Sequence, residues 1–142
     1  MLRVTHLLAS KGKDLWSVDA EQPVLEAIQI MADRRVGALP VMRGGELVGV
    51  VSERDYARKV ILLGRSSAET AVWQIMSAPV ITVGPSETVR RCMEIMTERR
   101  IRHLPVVEGG VTVGMISIGD LVRAVIEEQK ETIEQLEKFI AG

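Results

Sequence analysis

The 142-residue sequence predicts a mixed α+β fold made of two successive βαββα units and a C-terminal helix. Three observations support this prediction. The chain repeats itself after 65 residues, each copy alternates short β-rich runs with helical stretches, and 46% of the residues are hydrophobic although only 3% are aromatic. An interior of Val, Ile, Leu, Met and Ala suits small sheets backed by helices. We expect the units to pack pseudo-symmetrically through these sheets and to share a core, because a unit of roughly 60 residues is marginal alone.

The repeat is visible when residues 17–61 are aligned without a gap to residues 82–126, because 18 of the 45 aligned positions are identical. Both copies contain Leu-Pro-Val, and both contain Gly-h-h-Ser-x-x-Asp, where h is an apolar residue. The alignment predicts a first copy at residues 1–63, a linker at 64–71, a second copy at 72–126 and a helical tail at 127–142.

Each copy begins with a short helical turn that leads into a short strand. Residues 4–8 resemble residues 72–76, and the strands are predicted near residues 16–18 and 81–83. The first copy carries three extra residues between its turn and its strand, around Lys11.

The next element of each copy is an amphipathic helix. Apolar residues at i, i+3, i+4 and i+7, starting from Val24, predict a helix over residues 21–35. The second copy repeats this stripe and has Cys92 at the position of Ala27. We therefore interpret Cys92 as a small buried hydrophobe in preference to a reactive thiol.

A hairpin follows the helix. The β-rich runs at residues 38–42 and 47–52 flank Gly44 and Gly45, and the second copy has Gly109 and Gly110 at the same place. Paired glycines supply the positive φ that a tight hairpin turn requires. A phosphate loop is not indicated, because the chain contains neither Gly-x-Gly nor Gly-x-x-x-x-Gly-Lys-Ser/Thr.

The last predicted element of each unit is a helix, at residues 53–63 in the first copy and from Ile118 in the second. Residues 126–140 continue helically beyond the repeat, with apolar residues on one side: Ile126, Ile133, Leu136 and Ile140. This stripe needs a partner, either the rest of the domain or a second subunit.

Composition excludes several classes of function. The 18 basic and 19 acidic residues nearly cancel, so no long-range field attracts the protein to nucleic acid or to an anionic membrane, and the scarce aromatics also disfavour nucleic-acid binding. No stretch approaches the roughly 18 apolar residues of a membrane span. The N-terminus is unlike a signal peptide, and the single Cys92 cannot form an internal disulfide. We expect a cytoplasmic protein.

Two serines stand at the start of helices with an aspartate three residues later: Ser52 with Asp55, and Ser117 with Asp120. This spacing is typical of a capping box, which needs no ligand. In a second interpretation the carboxylate accepts hydrogen bonds from the 2′ and 3′ hydroxyls of a ribose, while the serine and the helix N-terminal amides receive phosphate. Both roles can coexist.

The βαββα repeat, its Leu-Pro-Val strand, its diglycine turn and its Gly-h-h-Ser-x-x-Asp motif together resemble the cystathionine-β-synthase (CBS) domain, in the tandem form called a Bateman module. The resemblance covers about residues 4–126, and residues 52–60 and 102–106 are similar to stretches of small stand-alone bacterial CBS-pair proteins. It implies a module that binds adenosine compounds (AMP, ADP, ATP, S-adenosylmethionine or NAD-type dinucleotides) in two clefts between the copies. It also implies a homodimer of modules, to which the apolar tail would add surface.

The resemblance also implies which residues line each cleft, since the ribose aspartate comes from one copy and much of the adenine slot from the other. The first cleft would combine Val50, Ser52, Arg54, Asp55 and Arg58 with Ile101, Arg102 and His103. The second would combine Met115, Ser117 and Asp120 with Val36, Gly37 and Ala38. Pro40 and Pro105 of the Leu-Pro-Val strands complete the predicted nucleotide-binding set.

The two predicted clefts differ in charge. The second motif has Gly119 where the first has Arg54, and Gly37 stands where the second copy has Arg102. Only Arg123 matches the cations near Asp55. Phosphate is therefore expected to favour the Asp55 cleft. His103 is open to two interpretations, a partly buried structural histidine or a phosphate contact.

An enzyme would need a nucleophile beside a base, a carboxylate pair or metal ligands. With two histidines and one cysteine, a zinc site is nearly excluded, and the serines lack a Gly-x-Ser-x-Gly elbow. We therefore predict a non-catalytic sensor, with neither metal nor catalytic cofactor, in which a bound nucleotide changes the angle between the copies or the dimer packing and so affects a regulated protein partner. The alternative is a ligand-independent dimerisation or adaptor module that docks to a partner enzyme.

Overall fold

The protein is described by a computed structural model, which covers residues 1–12 and 14–141. The helices are α1 (Val4–Lys11), α2 (Val24–Arg34), α3 (Glu53–Tyr56), α4 (Val89–Arg99) and α5 (Ile118–Ala141). The strands are β1 (Val18–Asp19), β2 (Ala38–Arg43), β3 (Glu46–Ser52), β4 (His103–Glu108) and β5 (Val111–Ser117). A π-helical turn (Ala57–Ile61) continues α3, and a 3-10 turn (Val72–Gln74) opens the second copy. The predicted mixed α+β fold is confirmed.

Each copy contributes one small sheet. In the first, β1 runs parallel to β2, which pairs antiparallel with β3. In the second, β4 pairs antiparallel with β5. The strand predicted at residues 81–83 is reduced to a single parallel bridge between Val83 and Val106. Gly84 and Pro85 follow Val83 directly, and proline has no N–H with which to extend the pairing.

The two hairpin turns have the predicted conformation. Gly44 and Gly45 have φ of 57° and 79°, and Gly109 and Gly110 have φ of 58° and 79°. Two consecutive residues with positive φ match the right-handed twist of the flanking strands. The glycines therefore serve the turn, as the sequence indicated.

The amphipathic helices α2 and α4 turn their apolar stripes inward, as predicted. Val24, Ala27 and Met31 of α2 are buried, and the equivalent residues of α4 are buried too. The predicted start at Glu21 is wrong, because α2 begins at Val24. Its N-cap is Pro23, in an extended conformation (φ −68°, ψ 147°), and a proline disfavours helical geometry in the residue before it.

The interior consists of two buried clusters, one for each sheet, and so differs from the single shared core that we expected. The first cluster contains Leu39 and Val51. The second contains Leu104 and Ile116. The amphipathic helix of each copy packs against its own sheet, α2 against β2 and α4 against β4.

The halves are joined by an exchange of their leading segments. Val4 and Leu7 of α1 are buried in the cluster of the second sheet, whereas Val72 and Ile75 at the 3-10 turn are buried in the cluster of the first. The exchange includes the backbone, since Val4 N donates to Glu87 O at 2.9 Å. Each half is therefore completed by the start of the other copy, which the division at residues 1–63 and 72–126 does not reveal.

The last helices of the two copies differ from each other in length. The helix predicted over residues 53–63 is α3 and its π-helical continuation, which ends at Ile61. In the second copy the corresponding helix and the predicted tail are one continuous helix, α5. Its residues from Ile126 onward are exposed, so the tail extends beyond the body of the molecule. Within residues 1–12 and 14–141, no helix combines the length and apolar character needed to cross a bilayer.

Candidate functional site

Both Ser-x-x-Asp motifs form capping boxes. Ser52 N donates to Asp55 Oδ2 at 3.0 Å, and Asp55 N donates to Ser52 Oγ at 3.1 Å. The same pair of bonds joins Ser117 and Asp120 at 2.9 and 3.2 Å. The capping interpretation is confirmed for both motifs. It fixes each carboxylate just beyond the end of a strand, β3 for Asp55 and β5 for Asp120.

The Asp55 carboxylate faces a cleft of about 740 Å³ between the copies. The predicted residues Val50, Ser52, Arg54, Arg58, Ile101, Arg102 and His103 line this cleft. The Asp55 side chain is 12% exposed, and its Oδ1 lies 3.1 Å from Lys59 Nζ. Ser77 Oγ also donates to Oδ1, at 3.4 Å. The structure thus brings the predicted residues from both copies together around one carboxylate.

The Asp120 carboxylate faces a second cleft, of about 470 Å³. The predicted residues Val36, Gly37, Ala38, Met115 and Ser117 line it. Pro40 and Pro105, which completed the predicted nucleotide-binding set, line neither cleft; they lie buried in β2 and β4, paired with Val50 and Met115 respectively.

Several lining residues were missed at the sequence level. In the Asp120 cleft they include Leu8, Lys11, Trp16 and Arg35, and in the Asp55 cleft Lys59, Ser77 and Arg100. Arg35 and Arg100 are equivalent by the repeat, and each ends a helix in the left-handed conformation (φ 55° and 56°) just before the strand that walls the opposite cleft. The equivalence of Arg35 and Arg100 is visible when the two copies are aligned in sequence. Leu8 and Lys11 come from α1 and depend on the exchange of leading segments, which has no local signal.

Asp120 is held by two cations. Its side chain is 6% exposed; Oδ2 accepts from Lys11 Nζ at 2.7 Å, and Oδ1 accepts from Arg123 Nη2 at 2.5 Å. Burial alone would raise the pKa of this carboxyl, but the hydrogen bonds from Lys11 and Ser117 and the charge of Lys11 outweigh burial, so the pKa lies below its ordinary value. Asp120 is therefore an ionised acceptor at neutral pH.

The cations around the clefts are more evenly divided than the sequence suggested. Beside the Asp120 cleft, Arg123 is joined by Lys11 and Arg35. Beside the Asp55 cleft stand Arg54, Arg58, Lys59, Arg100 and Arg102. The Asp55 cleft keeps the larger number, and Lys11 and Arg35 are cations of the Asp120 cleft that the alignment of the two motifs did not include.

Gly37 and His103 line both clefts, so the two cavities share a wall. A Cβ on Gly37 would lie 3.5 Å from His103 Nε2 and 3.2 Å from Glu53 Oε1. The second distance is tighter than most side-chain contacts, so a glycine at position 37 gives His103 and Glu53 room at the junction.

Among the residues that the structure describes, no group of three or more His, Cys, Asp or Glu is placed to hold a metal ion.

A family model described as the CBS domain matches residues 11–61 and 72–127. The CBS domain-containing protein CBSX3, mitochondrial, of Arabidopsis thaliana is 42% identical over 149 residues, covering 98% of this chain and 72% of that protein. The solved structure of a protein with CBS domains from Burkholderia ambifaria MC40-6 is 47% identical, with a TM-score of 0.82, and covers 89% of this chain and 93% of the other.

A more distant solved structure is the CBS domain pair of protein MJ0100 in complex with 5′-methylthioadenosine and S-adenosyl-L-methionine. It is 24% identical, has a TM-score of 0.80, and covers 90% of this chain and 98% of the other. At this identity the likeness concerns the fold.

Proposed function

This chain belongs to the CBS-domain family, and we propose that it is a sensor of adenosine nucleotides. It contains a tandem pair of CBS domains, which is a regulatory module and not a catalytic one. The proposed ligands are AMP, ADP, ATP or an NAD-type dinucleotide. Binding would change the angle between the copies or the packing of a dimer, and a partner protein would respond to that change.

One observation carries the proposal: in each cleft, a capped aspartate of one copy faces the strand-start segment of the other copy. For Asp55 this segment is residues 101–103, and for Asp120 it is residues 36–38. A largely buried carboxylate suits the two adjacent hydroxyls of a ribose, since each oxygen accepts a hydrogen bond. The cations beside each carboxylate suit phosphate.

The size of the clefts agrees with such a ligand. Their volumes of about 470 and 740 Å³ lie within the range of about 300 to 1,000 Å³ that is usual for small-molecule sites. Met115 and Val50, which pair with the buried prolines, supply apolar wall for a base. MJ0100 binds adenosine compounds on the same fold; for this chain the proposal depends on its own cleft residues.

A ligand in either cleft would touch both copies, which gives a physical route from binding to shape. It shifts the arrangement of the copies only by its differential affinity for the alternatives, so the residues that matter most are those contacting it from opposite sides. We propose a homodimer as the assembly that responds, because α5 presents an exposed apolar stripe beyond the body.

The test is binding of AMP, ATP and NAD by titration calorimetry to the parent, Asp55→Ala, Asp120→Ala and the double variant. Losing a charge-assisted hydrogen bond costs about 1.5 to 3 kcal/mol, so each single variant should weaken one cleft about tenfold or more. Asp33→Ala, an exposed aspartate on α2, is the control for lost charge. A double variant that binds as tightly as the parent would reduce the motif to a helix cap, and the sensor proposal would fail.

A further inference from the structure

The ammonium of Lys11 lies inside the Asp120 cleft and makes two contacts there. Lys11 Nζ donates to Asp120 Oδ2 at 2.7 Å and to the backbone oxygen of Met115 at 2.7 Å. Lys11 is the last residue of α1, and its side chain is 39% exposed, so the four-carbon stem reaches the cleft from its rim. The cleft is thus partly filled by a group of the protein itself.

The three extra residues of the first copy explain how Lys11 comes to be there. Leu8 and Met76 are equivalent, because a Cβ added to Gly114 would meet Leu8 at 2.5 Å and one added to Gly49 would meet Met76 at 2.6 Å. Beyond this shared contact the two segments diverge. The chain after Met76 forms a backbone bridge, whereas the chain after Leu8 continues as helix α1.

In the first half, the residue after Met76 forms the bridge. Ser77 N donates to Val50 O at 2.8 Å. Met115 is the equivalent of Val50 in the alignment, and its backbone oxygen instead accepts from Lys11 Nζ, because α1 runs on past Leu8 to Lys11. The insertion therefore replaces a backbone amide with a side-chain cation at the equivalent acceptor.

This cation competes for the atoms that a ribose would use. Asp120 Oδ2 already accepts from Ser117 N and Lys11 Nζ, and Oδ1 accepts from Arg123. A carboxylate offers about four acceptor positions, and a ribose diol needs two of them. At least one present donor has to give way. Lys11 Nζ and the cap amide Ser117 N together fill Oδ2, whereas Oδ1 accepts from Arg123 and keeps one position open. A diol that bonds to both oxygens therefore displaces Lys11, although the Arg123 side chain is more exposed, 71% against 39%.

We propose that Lys11 is a removable self-ligand of the Asp120 cleft that makes this cleft select adenosine compounds with an anionic 5′ group. The inference rests on the proposed nucleotide-sensing function. A neutral nucleoside has to displace Lys11 without compensation. A nucleotide displaces it too, but the released ammonium stays in the same cleft and pairs with the phosphate.

The experiment uses the full chain with Asp55→Ala, so that the Asp120 cleft is measured by itself, with adenosine and AMP as probes. In this background Lys11→Met removes the charge and keeps the side-chain length. A partly exposed ion pair is worth up to about 1 kcal/mol, so adenosine should bind about fivefold more tightly while AMP gains nothing. The preference for AMP over adenosine therefore falls about fivefold or more.

Lys130→Met in the same background is the control for lost lysine charge, since Lys130 is exposed on α5 and lines neither cleft, and it should leave the preference unchanged. Lys11→Ala separates loss of charge from any filling of the cleft by methionine. An unchanged preference in both Lys11 variants, or equal weakening of adenosine and AMP, overturns the inference while the sensor proposal stands. Binding of neither probe by Asp55→Ala itself overturns both at this cleft.

Discussion

His103 begins β4 at the junction of the two clefts, where its surroundings decide its charge. Burial lowers its pKa, the cations Lys11 and Arg102 lower it further, and Asp120 and Asp55 only partly oppose them, so the pKa lies below the ordinary 6.5. A neutral imidazole at neutral pH donates one hydrogen bond and accepts another. Between the two interpretations left open by the sequence, this favours a polar wall residue over a permanent cation for phosphate.

The lowered pKa predicts a pH dependence of stability. Because the folded-state pKa lies below the unfolded value, the unfolded chain binds the proton first as the pH falls. The stabilisation is full above about pH 6.5 and is lost as the pH drops through that value towards the folded pKa. Urea unfolding between pH 7.5 and 5.5 should show a decreasing free energy of unfolding, and His103→Gln should remove part of the slope.

His6→Gln is the control, since it removes the other histidine and keeps the contribution of His103. Asp120 does not confuse the measurement, because its folded pKa is depressed below 3.8 and its contribution is lost only at lower pH. An identical slope in parent and His103→Gln would contradict the prediction.

Cys92 shows what the sequence could establish for a single residue. Its alignment with Ala27 predicted a small buried hydrophobe, and the side chain is 0% exposed. Burial, helped by the charge of Glu87, raises the pKa of the thiol to about 11. The thiol is therefore neutral and packed, and the interpretation as a core residue is confirmed.

Among the elements, those with a local cause were predictable and those with a distant cause were not. The stripe from Val24 and the paired glycines at Gly44 fix their helix and hairpin within a few residues. The place of α1 in the core of the second half depends on packing between residues about 80 positions apart, such as Val4 and Glu87. The wall that Lys11 contributes to the Asp120 cleft follows from that packing, so it could not be read from the motif.

The exposed part of α5 predicts how the protein assembles. Ile126, Ile133 and Ile140 are seven residues apart, and Leu136 lies between the last two at the spacing of a two-stranded coiled coil. Ile133 and Leu136 are 55% and 56% exposed, and an exposed apolar stripe of this kind favours burial against another surface. Sedimentation at micromolar concentration should show a homodimer for the intact chain, and truncation after Glu128 should weaken it.

A pair of substitutions keeps the length of α5 in the same experiment. Ile133→Asp with Leu136→Asp puts charge on the stripe and should shift the chain towards monomer, while Glu131→Ala with Lys138→Ala, on the opposite side of the helix, should leave the dimer intact. Since both targets are exposed in the protomer, its own unfolding transition should change little. An intact chain that is monomeric at micromolar concentration would count against this assembly.

At the scale of the whole molecule, the two clefts are related by the repeat but differ in size and in charge. The Asp55 cleft is larger, about 740 against 470 Å³, and has more cations around it. They share the wall formed by Gly37 and His103, so the ligands proposed for the two clefts would act on the same junction. A difference in ligand preference would let one molecule respond to two adenosine compounds.

The last prediction is that the Asp55 cleft holds the more highly phosphorylated or dinucleotide ligand, and that Arg54 contributes to this preference. Arg54 is exposed, so its contact with phosphate should be worth about 1 kcal/mol, or about fivefold in affinity. Arg54→Ala should therefore weaken the binding of ATP or NAD more than that of AMP, whereas Asp120→Ala should weaken mainly AMP binding.

Gly119→Arg is the reciprocal variant, because a Cβ on Gly119 would meet Arg123 and Ser117 only at ordinary distances of 3.6 and 3.7 Å. It should strengthen ATP binding at the Asp120 cleft. Unchanged affinities in Arg54→Ala, or a ligand-bound structure with a polyphosphate beside Asp120 and an empty Asp55 cleft, would show that the count of cations does not set the preference.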